Sequence, residues 1–108
     1  MASTPNPIKA AVAVSNTTLY TAFVGAATRA MLVALDFCNT TAADITIDVF
    51  FENAAASVTR YFGKGVVVPA NGVASWRGMQ TIDTASDKWR AIASATGVDC
   101  TGTVVENV

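Results

Sequence analysis

A chain of 108 residues holds one domain and leaves little room for a second. Apolar residues make up 52% and charged residues only 14%, the reverse of a disordered chain's balance. Net charge is −1, with no histidine and no basic run, which argues against a general nucleic-acid binder. No apolar run approaches the ~18 residues of a membrane-spanning helix, so no span is expected. Met1 to Lys9 lacks a basic start followed by an apolar core and is not read as a secretory leader. The protein is therefore expected to stay where it is made or to join a particle assembled there.

Cys38 and Cys100 have no CxxC neighbour, which removes zinc-ribbon and redox-motif readings. Two buried, unpaired thiols in strands are expected. A disulfide needs neighbouring strands, and a protein assembled in the cytoplasm has no use for one. Without histidine, the commonest metal ligand and the commonest general base near neutral pH are both missing. The usual serine triads and zinc hydrolase sites cannot be built.

In chain order, residues 1–7 read as a flexible arm. Pro5 and Pro7 each deny a strand one backbone donor. The domain proper is expected over residues 8–108. Ile8 to Val14 suits a first strand and Leu19 to Phe23 a second. Val24 to Thr28, with Gly25, is a turn.

Arg29 to Phe37 alternates, with Met31, Val33, Leu35 and Phe37 on one face. A helix competes here, because Ala, Leu and Met are good helix formers. The stop at Cys38-Asn39-Thr40-Thr41 favours a strand. Asp44 to Glu52 alternates cleanly, with Ile45, Ile47, Val49 and Phe51 opposite a polar side. The short link Asn39 to Ala43 suggests a hairpin. Phe50 lies on the polar side and is expected to be exposed.

After a turn at Asn53 to Ser57, residues Val58 to Phe62 alternate, and Gly63-Lys64-Gly65 allows a bulge or kink. Val66 to Val68 is β. Pro69-Ala70-Asn71-Gly72 is a turn that needs a positive φ at Asn or Gly. Val73 to Arg77 and Met79 to Thr84 are short strands. Lys88 to Thr96 places Trp89, Ala91, Ala93 and Ala95 on one face, and Asp99 to Glu106 closes the chain. A tight hairpin is expected at Gly97.

Eight or nine short strands separated by turns predict an all-β, antiparallel β-sandwich. The predicted core is Leu19, Met31, Val33, Leu35, Phe37, Ile45, Ile47, Val49, Val58, Phe62, Val66, Val68, Trp76, Trp89 and Ala91.

No chemistry stands out. Asp44 and Asp48 share a face, with Asp36 across the expected hairpin. A carboxylate pair for acid–base work and a calcium site both rank below a solvated strand face. Gly63-Lys64-Gly65 lacks the glycine pattern of a phosphate loop. In Trp76-Arg77 and Trp89-Arg90 the ring anchors the core while the guanidinium reaches outward. No catalytic residue, metal ligand or cofactor is predicted.

The surface points to assembly. A soluble monomer of this size usually carries roughly 25–35% charged residues. Thr, Ala and Asn fill the outer faces here, and such faces suit burial against copies or partners. The candidate contact residues are Pro5, Pro7 and Ile8 on the arm side, Phe50 and Tyr61, and Arg77 and Arg90.

The order of several local patterns resembles small virion-associated proteins of tailed bacteriophages. The matching stretches are Leu19-Tyr20-Thr21-Ala22, Cys38-Asn39-Thr40-Thr41, Ala42-Ala43-Asp44, Gly65 through Gly72, Asp87-Lys88-Trp89-Arg90-Ala91, and the closing strand. Trp89 stands where that group is more often aliphatic. The resemblance implies an Ig-like or jelly-roll β-sandwich located in the virion. It implies a non-enzymatic capsid decoration (cement) protein that touches the major capsid protein or other virion proteins. A homo-oligomer is implied, with a trimer favoured, and no nucleic acid, membrane or cofactor. The alternatives are a tail, neck or baseplate component, or a receptor- or glycan-binding module in which Phe50, Tyr61 and a Trp stack on sugar.

Overall fold

The alternating segments form eight antiparallel strands in a computed structural model, which describes residues 4–23 and 27–107 (for Thr4, the backbone only). They are β1 (Thr4–Val12), β2 (Thr17–Thr21), β3 (Ala30–Asn39), β4 (Ile45–Glu52), β5 (Thr59–Val68), β6 (Val73–Ile82), β7 (Lys88–Ala93) and β8 (Val98–Glu106). Two four-stranded sheets face each other, sheet A in the order β1-β8-β3-β6 and sheet B in the order β2-β7-β4-β5. An immunoglobulin sandwich keeps its first two strands in one sheet. Here β1 and β2 lie in opposite sheets, and the two orders are those of a jelly roll.

This topology changes the meaning of several turns. Among consecutive strands, β4 and β5 alone pair with each other, through Asn53 to Val58. The expected hairpins at Asn39 to Ala43 and at Gly97 are arches that carry the chain from one sheet to the other. A hairpin and an arch use the same turn residues, so the pattern does not separate them. Gly97 has φ 119°, and a Cβ there would stand 2.3 Å from Thr41 Cγ2, so the arch needs glycine. Asn71 takes the positive φ (53°) of its turn, closed by Gly72 N–H donating to Pro69 O at 2.9 Å. The turn expected at Val24 to Thr28 falls partly outside the described residues.

The strand count is eight because the two pieces expected after Val73 join as one strand, irregular between Arg77 and Gln80. At the N-terminus, β1 begins at Thr4, and Pro5 and Pro7 pair with Val105 and Thr103. Most of the expected arm is therefore an edge strand, and Met1 to Ser3 lie outside the described residues. Two prolines two residues apart share one side of a strand. That side must be the free edge, where no donor is needed.

The core differs from the predicted one for a single reason in β3. Leu32 pairs with Val104, and Ala34 pairs with Thr103, so β3 carries one extra residue against β8. The bulge flips the side-chain parity. Ala30, Leu32, Leu35 and Phe37 point inward and are essentially buried. Met31 and Val33, predicted in the core, are half-buried instead. Gly102 lies across from the bulge, where a Cβ would meet Ala34 O at 2.4 Å. Elsewhere Trp89, Ala91, Ile45, Ile47, Val49 and Val68 fill the core as expected, and Tyr20 stacks on Trp89 at 5.5 Å. Val58 is half-buried and Val66 is exposed.

Candidate assembly surface

Sheet A presents a nearly uncharged outer face. Thr101, Thr103 and Val105 of β8 lie between Pro5, Pro7 and Lys9 of β1 and Met31, Asp36 and Cys38 of β3. Val73, Ser75, Arg77 and Thr81 of β6 complete it. Its central charges cancel: Arg77 Nη1 donates to Asp36 Oδ1 at 3.1 Å, and Ser75 Oγ donates to the same oxygen at 2.6 Å. The Ser75 hydroxyl and the Arg77 guanidinium hold the Asp36 carboxyl below the usual range. Lys9 and Asp99 supply the other two charges on this face, one of each sign.

Sheet B is more polar outside, and several of its charges are paired. Arg90 pairs with Glu52 at 3.0 Å and donates from Nε to Thr18 Oγ1 at 3.1 Å. Glu52, expected on a solvated face, is 6% exposed. Phe50 is covered by Tyr61, with ring centroids 5.3 Å apart, and Lys64 Nζ lies 4.4 Å above the Tyr61 ring. Phe50 is 3% exposed, which overturns the expectation of an exposed aromatic.

The two sides of the sandwich differ. On one side, β1 carries two prolines and β2 has five residues. On the other, β5 and β6 are each ten residues long, without proline, and each is the outermost strand of its sheet. Val66 pairs with Ile47, which is buried, so it faces inward, yet it is 37% exposed. Phe62 and Trp76 meet here at 5.3 Å. A pocket of about 80 Å³ opens beside them, lined by Phe37, Ile47, Val49, Phe62, Gly63, Val66, Ala74, Ser75 and Trp76. A second pocket continues past Phe62, between Phe51, Arg60, Tyr61, Gln80 and Thr81.

The seven predicted contact residues do not form one patch. Pro5 and Pro7 are exposed on the free edge of β1, and Arg77 lies on the outer face of sheet A. Phe50, Tyr61 and Arg90 come together on sheet B, but Tyr61 alone of the three is freely exposed. Ile8 is 2% exposed and belongs to the core, because residues 8, 10 and 12 point inward along β1.

Two polar groups escaped the sequence reading as more than turn or strand signals. Asn39 is 1% exposed and ties two arches together. Its Nδ2 donates to Ala43 O (2.7 Å) and Val68 O (3.0 Å), and its Oδ1 accepts from Thr41 N (2.9 Å) and Oγ1 (2.7 Å). Glu106, 4% exposed, accepts hydrogen bonds from Tyr20 Oη and from Asn6 Nδ2. Burial, helped by the Glu106 carboxylate, raises the Tyr20 pKa. A buried polar residue amid turn letters is a signal only in hindsight.

The carboxylates once grouped as a cation site are spread over both sheets. Asp36 faces out from sheet A, and Asp44 and Asp48 belong to the sheet B side. Asp44 accepts from Ala70 N–H and Asp48 from Gly65 N–H, so each fixes a turn or bulge. Among the described residues, no three His, Cys, Asp or Glu side chains stand close enough to hold a metal. Both thiols are free. Cys38 is exposed, which corrects the expectation of two buried thiols, and Cys100 is buried in the adjacent strand on the opposite face. Burial, with the Asp36 charge, pushes the Cys100 thiol up to about 12.

No family model matches the chain, and no curated protein matches it. Several solved structures are similar in fold. A chain of the infectious bursal disease virus particle gives a TM-score of 0.58 at 11% identity, over 96% of this chain and 30% of that one. A pentameric capsid protein isolated from metagenomic phage sequences gives 0.53 at 13% identity, over 94% and 61%. A chain from the Bacillus endospore appendages, described as disulfide-linked pili, gives 0.51 at 15% identity, over 97% and 86%. This chain thus spans less than two thirds of the viral and phage chains. At such identities the shared property is the jelly-roll fold.

Proposed function

We propose that this chain is a non-enzymatic structural subunit of a virus-type particle, and within it a capsid decoration (cement) protein. It sits on the shell as a homo-oligomer, a trimer by preference, and holds capsomers together by burying the outer face of sheet A against the major capsid protein. The observation that carries the reading is that face: four strands wide, with one Asp36–Arg77 ion pair and the single charges Lys9 and Asp99, and otherwise mostly Thr, Val, Met and Pro. Burying it gains apolar contact, and its few charges keep the desolvation penalty down provided the shell offers partners to Lys9 and Asp99. Capsid chains among the similar folds support the same setting.

The likeness to the pilus chain favours a second reading, a self-assembling appendage subunit, because it spans 86% of that chain. Quantitative mass spectrometry of purified particles separates these readings. A decoration protein is present in hundreds of copies beside the shell protein. A count of three, six or twelve points to the tail or neck, and filaments of this chain alone point to an appendage.

A further inference from the structure

Among the described residues, most of what lines the β5–β6 side is core without a lid. On β5, the ladder with β4 places Val66 opposite Ile47, Gly63 opposite Val49 and Arg60 opposite Phe51. Val66 and Arg60 are therefore on the inward side, yet both are exposed. On β6, Ala74, Trp76 and Gln80 also point inward. Inward-facing residues stay exposed at a sandwich edge when no further strand lies over them.

We infer that this groove takes an extended segment of a different polypeptide, added as a strand along the free edge of β6. Three observations select that occupant. First, the opposite side is blunted by Pro5, Pro7 and the short β2, whereas β6 is free of proline and, among the described residues, pairs along one edge only. Second, side chains of an added strand alternate, so every second one points into the groove. Third, β5 and β6 carry Arg60, Lys64 and Arg77 and no carboxylate. Asp48 and Asp36 partner Lys64 and Arg77, while the Arg60 guanidinium meets only its neighbour's Thr59 carbonyl.

The ladder positions 47, 49 and 51 set the spacing. An occupant antiparallel to β6 carries a carboxylate opposite Arg60 and Gln80, then apolar side chains two and four residues later. The carboxylate enters the pocket beside Arg60 and Gln80, and the two apolar side chains enter the one lined by Gly63, Val66 and Trp76. The occupant is a segment of another chain in the assembly. The groove lies on a different side from the outer face of sheet A, so this inference and the particle reading fail separately.

The test is an amide-resolved NMR titration of the intact protein with the capped peptide Thr-Glu-Thr-Leu-Thr-Val-Thr. Saturable shifts confined to β5 and β6 are expected, with new exchange protection along β6. Arg60→Glu, at an exposed position, should weaken this peptide about tenfold and favour the version with Lys in place of Glu. Absence of saturation, shifts on other strands, or indifference to the charge swap would overturn the inference. Concentration-dependent shifts of the same amides in the protein alone would assign the groove to a second copy and overturn it too.

Discussion

Asn39 illustrates how much one side chain can hold. Its amide bridges the arch that follows β3 to the last residue of β5, and both ends of the amide are satisfied. Asn39→Ala takes the side-chain donor from the buried Val68 carbonyl and the acceptor from the Thr41 amide, and should cost about 1–3 kcal/mol in urea denaturation. A loss below ~0.5 kcal/mol would show that water replaces it without penalty. Cys100 makes a second residue-level prediction. Its folded pKa is raised from 9.0 to about 12, so folding favours the protonated thiol. That stability is complete below about pH 9 and is lost as pH rises toward 12. Tyr20, raised from its ordinary 10.0, acts with the same sign from pH 10 upward. Melting temperature should fall above pH 9, and Cys100→Ala should flatten the early part of that fall. An unchanged slope would contradict the assignment.

At the scale of elements, β3 marks the boundary of what the residues disclose. Its existence, length and inward Leu35 and Phe37 follow from alternation. The bulge does not, because Leu32 and Val33 are both apolar and either parity reads well. The clue is Gly102 on the facing strand, which means nothing until the register is known. Gly102→Ala should destabilise by about 1–3 kcal/mol, since the Ala34 carbonyl has to move; a neutral result would show that the bulge relaxes easily. β4 and β7 were legible on their inward faces, and Trp89 and Arg90 divide between core and surface as their adjacency suggested. The outward face of β4 was misjudged. Alternation reports the side of the sheet, whereas the cover over Phe50 and Glu52 comes from Tyr61 and Arg90 on neighbouring strands.

For the whole molecule, composition revealed the weak charge of the surface, and topology revealed where that weakness lies. The predicted contact residues scatter because Phe50, Tyr61 and Arg90 belong to sheet B and Ile8 to the core, whereas Pro5, Pro7 and Arg77 lie on the outer face of sheet A with Thr and Val between them. Cys38 reports directly on that face, being exposed there between Val73 and Asp99. The decisive measurement is maleimide labelling of Cys38 in the free protein and in purified particles. Rapid labelling of the free chain and strong protection in the particle are predicted, with Cys100 silent in both. Equal labelling of Cys38 in the two states would contradict burial of sheet A as the basis of assembly.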